Sequence, residues 1–117
     1  MPKNNNRLER GDIVIAADRR SEFGSKPRPV VIIQRSDAVA RLATVTVCLL
    51  TSQPSEAPLV RVPVAATAET GLDIPSWAMI ERLTTISQAR LGRRIGHVDD
   101  ATMLAISRAL LTFLGVT

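Results

Sequence analysis

A chain of 117 residues, 45% hydrophobic and 22% charged, suits one soluble domain with a single core. Its 15 Lys and Arg against 11 Asp and Glu give a net charge of +4, which permits a polyanionic partner without requiring one. One cysteine and one histidine exclude an intramolecular disulfide, a Cys/His zinc centre and a paired-histidine mechanism within one chain.

Residues 1–9 are polar and are expected to form a flexible tail ahead of one domain spanning 10–117. The tail holds no apolar stretch of the kind a secretory signal needs. No later run is long enough to span a bilayer, so the expectation is a cytoplasmic protein without a membrane partner. "DIVIA" (Asp12 to Ala16) reads as a first strand after Gly11. A loop follows, "ADRRSEFGSKP" (17–27), with Phe23 either stacking on a ligand or closing onto its own domain.

"PVVIIQ" (29–34) reads as a second strand, apolar at consecutive positions and so buried on both faces. Lys26, Pro27, Arg28 and Pro29 stand directly before it. The two prolines fix φ on either side of Arg28, and Pro29 drives Arg28 toward extended backbone. Arg28 is therefore held stiffly at the mouth of a strand. "ATVTVCLL" (43–50) is a β-branched third strand, with Cys48 as a small core residue and Thr51 and Ser52 where the chain leaves the core. "LVRVPV" (59–64) alternates, and Pro63 makes it an edge strand. "SWAMI" and "RLTTI" (76–86) form either one further strand or a bulged pair, with Glu81 and Arg82 at the join. Trp77 has two open settings, the core or a partner groove.

"QARLGRRIG" reads as a short helical turn and a loop. The period then changes. In "VDDATMLAISRALLTFLG" (98–115), Met103, Ile106, Leu110 and Phe113/Leu114 share one helical face. Asp99 is the expected N-cap and Gly115 the residue that stops the helix. Strands every dozen residues followed by one helix predict an α+β, mostly β fold: a small, strongly curved antiparallel sheet or barrel with a C-terminal helix packed on it.

Little conventional catalytic equipment is present. The acidic residues Asp12, Asp18, Glu22 and Glu81 have no metal-binding spacing, and no metal or other cofactor is expected. Neither a phosphate-binding glycine loop nor a dinucleotide motif occurs. Three aromatic residues are too few for a surface that works by base stacking alone. One reaction that asks little of a protein is RNA cleavage by the RNA's own 2′-hydroxyl. The nucleophile is already attached, so the protein need only align it and stabilise charge on the phosphorus oxygens. A fixed guanidinium suits that role, and a hydroxyl beside it donates a hydrogen bond. Arg28 meets the first requirement; Thr51 and Ser52 are candidates for the second, or plain turn residues.

Taken in order, "RGDIVIA", "GSKPRPVVIIQ", "TVTVCLLTSQ" and "GLDIPSWAMIERLTTISQARLGRRIGHVDD", with the helix that follows, resemble the MazF/PemK family of toxin endoribonucleases, from Arg10 to Gly115. The resemblance implies an SH3-like barrel of the MazF/CcdB type, a homodimer, cutting of single-stranded RNA without a metal, and neutralisation by a cognate antitoxin. It implies Arg28 and Thr51 as the catalytic pair. Lys26 and Ser52 become RNA contacts beside them, and Glu22, Glu81 and Arg82 further RNA-binding candidates. Two other readings stand against it. One is a non-enzymatic gyrase poison on the same fold, a branch that usually ends in Trp-Gly-Ile where this chain ends "LGVT". The other is a module that holds RNA without cutting it.

Overall fold

The computed structural model describes residues 7–17, 26–53 and 60–116. The expected flexible tail, Glu22 and Phe23 lie wholly or mainly outside these residues. The described chain runs β1 (Asp12–Ala16), β2 (Arg28–Ile32), α1 (Ser36–Val39), β3 (Thr44–Thr51), β4 (Arg61–Val64), β5 (Ser76–Ser87), β6 (Leu91–His97) and α2 (Asp100–Leu114). The six strands form one antiparallel sheet in the order β4-β5-β3-β2-β1-β6. The sheet is barrel-like but open, with β4 and β6 as its two ends. Pro63 sits on the edge strand β4, where a missing N–H costs least.

The consecutive apolar positions of β1, β2 and β3 supply two cores, one on each face of the sheet. Ile13, Val31, Cys48 and Leu50 point one way and pack with Ile80, Ile106 and Leu110. Val14, Val30, Ile32, Val47 and Leu49 point the other way, with Val39 of α1 and Ile86 beside them. Burying each such side chain stabilises by about 1.5–3 kcal/mol, which is why these three strands tolerate few polar residues. β2 begins and ends one residue or more earlier than its apolar run. Gln34, beyond it, continues the pairing through its side chain: Oε1 accepts from Thr46 N–H at 2.9 Å.

Cys48 is fully buried, and its thiol donates to Met79 O at 3.0 Å. Burial, reinforced by the negative charge of Glu81, pushes the thiol pKa up to about 12. It is therefore a protonated thiol at neutral pH. A thiol reagent at pH 8 is expected to leave the folded protein unmodified and to label it rapidly in denaturant; labelling at equal rates would contradict the burial.

Asp99 caps α2, accepting from Thr102 N–H at 2.7 Å, and Gly115 ends it in the left-handed region at φ 74°. Val116 N–H then returns to Leu111 O at 2.9 Å. Ile106 and Leu110 are buried and Met103 half-buried, as the helical period requires. Phe113 and Leu114 do not continue that buried face: they are 47% and 58% exposed. Arg10 ties the helix to the start of the domain, donating to Ser107 Oγ at 2.9 Å.

The structure adds to or decides three local points. Residues 36–39 form a helical turn that four residues were too few to announce. "SWAMI" and "RLTTI" are one continuous strand, and the irregularity lies in its pairing with β3, between Cys48 and Leu50. "LGRRIG" is not a loop but most of β6, paired along β1. Its two glycines and its charges depress strand propensity, and the pairing overrides them. Within β6, Arg94 Nε lies 3.0 Å from the buried Asp12 carboxylate, and Arg94 also approaches His97 Nδ1 at 3.4 Å.

Candidate active site

Arg28 is the first residue of β2 and is paired with Ala16 across β1. Pairing of β2 with β3 begins only at Val30 with Leu49, so Pro29 falls outside that ladder. The proline-bounded entry thus costs the sheet little while it holds Arg28 in extended backbone. Arg28 and Lys26 are exposed and make no hydrogen bond or ion pair with a described residue. Their charge is open to a ligand.

Thr51 is the last residue of β3 and is half-buried opposite Trp77 of β5. Trp77 is itself half-buried, between Thr51 and Pro63 of β4. Thr51 Oγ1 accepts from Gln53 N–H at 3.1 Å, which closes the turn that follows. That bond uses a lone pair and leaves the hydroxyl hydrogen free to donate. Thr51 therefore serves as a turn residue and remains a usable donor.

These ends meet in one open cleft of about 450 Å³. Lys26, Arg28, Thr51, Ser52 and Gln53 line it, over Ile15, Leu50 and Ile95. The segment Gly71–Ile74 also lines it. That segment is seated on β6 with unusual closeness. A Cβ on Gly71 would lie 2.0 Å from Ile95 O, and Gly71 adopts φ +70°, so only glycine fits there. Glu69 O accepts from His97 N–H at 2.8 Å. The turn before it is closed by Thr70, whose hydroxyl donates to Ala65 O at 2.8 Å and accepts from Thr67 N–H at 3.0 Å.

Four of the sequence-derived candidates are thus together: Arg28, Thr51, Lys26 and Ser52. Glu81 and Arg82 do not line this cleft. Glu81 is engaged with Arg61 of the neighbouring edge strand, Arg61 Nε lying 3.0 Å from Oε2. Arg82, half-buried, has an interaction of its own. His97 is exposed at the end of β6, away from the cleft lining. Among the described residues no group of three His, Cys, Asp or Glu could hold a metal ion. The sequence reading missed the contribution of Gly71–Ile74, because only the fold brings a loop from between β4 and β5 onto β6.

A model of the PemK-like, MazF-like toxins of type II toxin–antitoxin systems matches residues 9–114. The chain belongs to this toxin family. A curated relative from Mycolicibacterium smegmatis, named a probable endoribonuclease MazF, is 42% identical over 109 residues, which are 93% of this chain and 98% of the relative. The solved Mycobacterium tuberculosis toxin MazF-mt6 is similar with a TM-score of 0.75 at 29% identity, covering 89% of this chain and 96% of that one. An endoribonuclease from a mycobacterial species, solved in complex with its cognate antitoxin, has a TM-score of 0.78 at 23% identity, covering 94% of this chain and 97% of that one. The last likeness is one of fold. The six-stranded antiparallel sheet with its C-terminal helix is accordingly the PemK/MazF-like architecture, and the barrel expected from the strand pattern holds in its open form.

Proposed function

We propose that this toxin is an endoribonuclease that cuts single-stranded RNA, mRNA included, within a domain spanning residues 10–117. The observation that carries the reading is the meeting of an uncommitted Arg28 and a donor-competent Thr51 in one cleft. A phosphodiester seated there has its non-bridging oxygens against the Arg28 guanidinium, whose fork of donors matches them. Lys26 and Ser52 hold the adjoining backbone. The RNA's 2′-oxygen attacks phosphorus and the bond to the 5′-oxygen breaks. Charge gathers on the equatorial oxygens, and Arg28 stabilises it there, with Thr51 donating a further hydrogen bond. The 2′-hydroxyl loses a proton, the departing 5′-oxygen gains one, and the products are a 2′,3′-cyclic phosphate and a 5′-hydroxyl. Arginine makes a poor base, and its part here is to stabilise charge. No step draws on a metal.

The same reading extends to partners. A groove that attracts RNA phosphates also attracts an acidic peptide, so a cognate antitoxin segment covers Arg28 and shuts the cleft. A homodimer is supported by the outer surface of α2, where Leu104, Leu111 and Leu114 are 51%, 43% and 58% exposed. No described helix is long and apolar enough to cross a membrane. The toxin works in the cytoplasm, where its substrate is.

The test is a cleavage assay on a long mixed-sequence RNA in EDTA. Discrete cuts with cyclic-phosphate and 5′-hydroxyl ends are expected. Folded, antitoxin-free protein that leaves the RNA intact would instead point to a toxin that binds without cutting.

A further inference from the structure

Asp73 is a carboxylate in a cleft whose other charged side chains, among the described residues, are Lys26 and Arg28. It is exposed and makes no hydrogen bond or ion pair with a described residue. Structural stability gives no reason for it. Backbone affinity gives none either, since a carboxylate repels the phosphates that Arg28 attracts. Beside it, Ile74 is 58% exposed in the same cleft, a large aliphatic side chain left in water. Both are carried on a firm base. Gly71 abuts the backbone of β6, and Ile74 O accepts from the Ser76 hydroxyl at 2.9 Å. An uncommitted acceptor and an apolar surface on a fixed support are the two things needed to recognise a base: an edge contact and a face contact. The scarcity of aromatic residues makes an aliphatic face the available one.

We infer that Asp73 and Ile74 read a base flanking the phosphate held by Arg28. Asp73 accepts a hydrogen bond from an exocyclic amine, and Ile74 lies against the ring. The site therefore selects adenine, cytosine or guanine, which carry such an amine, and disfavours uracil, which does not. An acceptor that the bound base covers, and that is then left facing the uracil carbonyls, is the source of the discrimination. This inference rests on the cleft being the RNA site.

The cut sequence is first mapped with wild-type protein on mixed-sequence RNA. Matched oligonucleotides then carry either an amino base or uracil at each position flanking the scissile bond. Wild type is expected to favour the amino base at one of these positions by about tenfold or more. Asp73→Ala is expected to lose rate on the preferred oligonucleotide and to bring that ratio to within about twofold. Asp73→Asn, which keeps an acceptor and adds a donor, is expected to fall between. A wild type with no such preference, or an Asp73→Ala protein that retains it, overturns the inference. So does a folded Asp73→Ala protein that cuts neither oligonucleotide, which would make Asp73 part of the chemistry. Wild-type protein that cuts nothing is a different failure: it removes the ribonuclease reading and this inference with it.

Discussion

Replacing Arg28 by alanine is expected to slow RNA cleavage by about a thousandfold with the fold intact. That magnitude is the usual loss when one preorganised transition-state donor is removed, of order 10²–10³, raised because here the donor is also a full charge. It corresponds to about 4 kcal/mol of lost transition-state stabilisation. The fold is spared because Arg28 is exposed and holds no described residue in place. The melting temperature should stay within about 2 °C of wild type, as for surface substitutions generally. Arg28→Lys should recover only part of the rate. It restores charge but not the planar fork, and the lysine stem is free to swing where the guanidinium was bidentate. Single-turnover cleavage of one mapped site, followed beside a thermal melt, separates the two effects. An Arg28→Ala protein that cuts at the wild-type rate would remove Arg28 from the chemistry and leave Lys26 as the one described cation lining the cleft.

What could be read from the sequence divides along a physical line. β1, β2 and β3 were legible because their side chains are buried on both faces, so burial wrote itself into consecutive apolar residues. The α2 cap and stop were legible because Asp99 and Gly115 satisfy local backbone demands. The setting of Arg28 at a strand mouth was legible because two prolines fix it; that it shares a cleft with Thr51 could not be read from spacing. β6 was not legible. "LGRRIG" owes its extended form to β1 on one side and to the Glu69–Gly71 loop against it, and neither lies nearby in sequence. Asp73 was passed over for the same reason: as part of "TGLDIP" it looks like any turn carboxylate, and only the seating of that turn on β6 brings it into the cleft. Glu81 shows the converse. The resemblance suggested it as an RNA contact, and in the structure it faces Arg61 and does not line the cleft.

Gly96→Ala should then be among the most damaging single-methyl changes available. A Cβ at this position would lie 2.3 Å from Glu69 O and 2.4 Å from the Thr70 carbonyl carbon and oxygen. All three are backbone atoms, so no side chain can rotate away. Either β6 leaves β1 or the loop lifts off β6. The second is cheaper, because the loop is held on β6 by fewer bonds than the sheet ladder, but it breaks the 2.8 Å bond from His97 N–H to Glu69 O and unseats Gly71 from Ile95. Overpacking of this kind costs about 3 kcal/mol, equivalent to a fall of roughly 10–15 °C in melting temperature for a domain of this size. Gly115→Ala is the control. Gly115 also departs from ordinary backbone geometry, at φ +74°, but nothing lies within 4 Å of the added methyl. It should cost only the left-handed conformation, about 1–2 kcal/mol. The difference between the two melts isolates the steric contact. Because the displaced loop carries the Asp73 wall of the cleft, the Gly96→Ala protein should also cut RNA with altered base preference at temperatures where it remains folded. Equal melting temperatures for Gly96→Ala and wild type would mean that the loop does not rest on β6, and the cleft would lose the rigid support on which base reading depends.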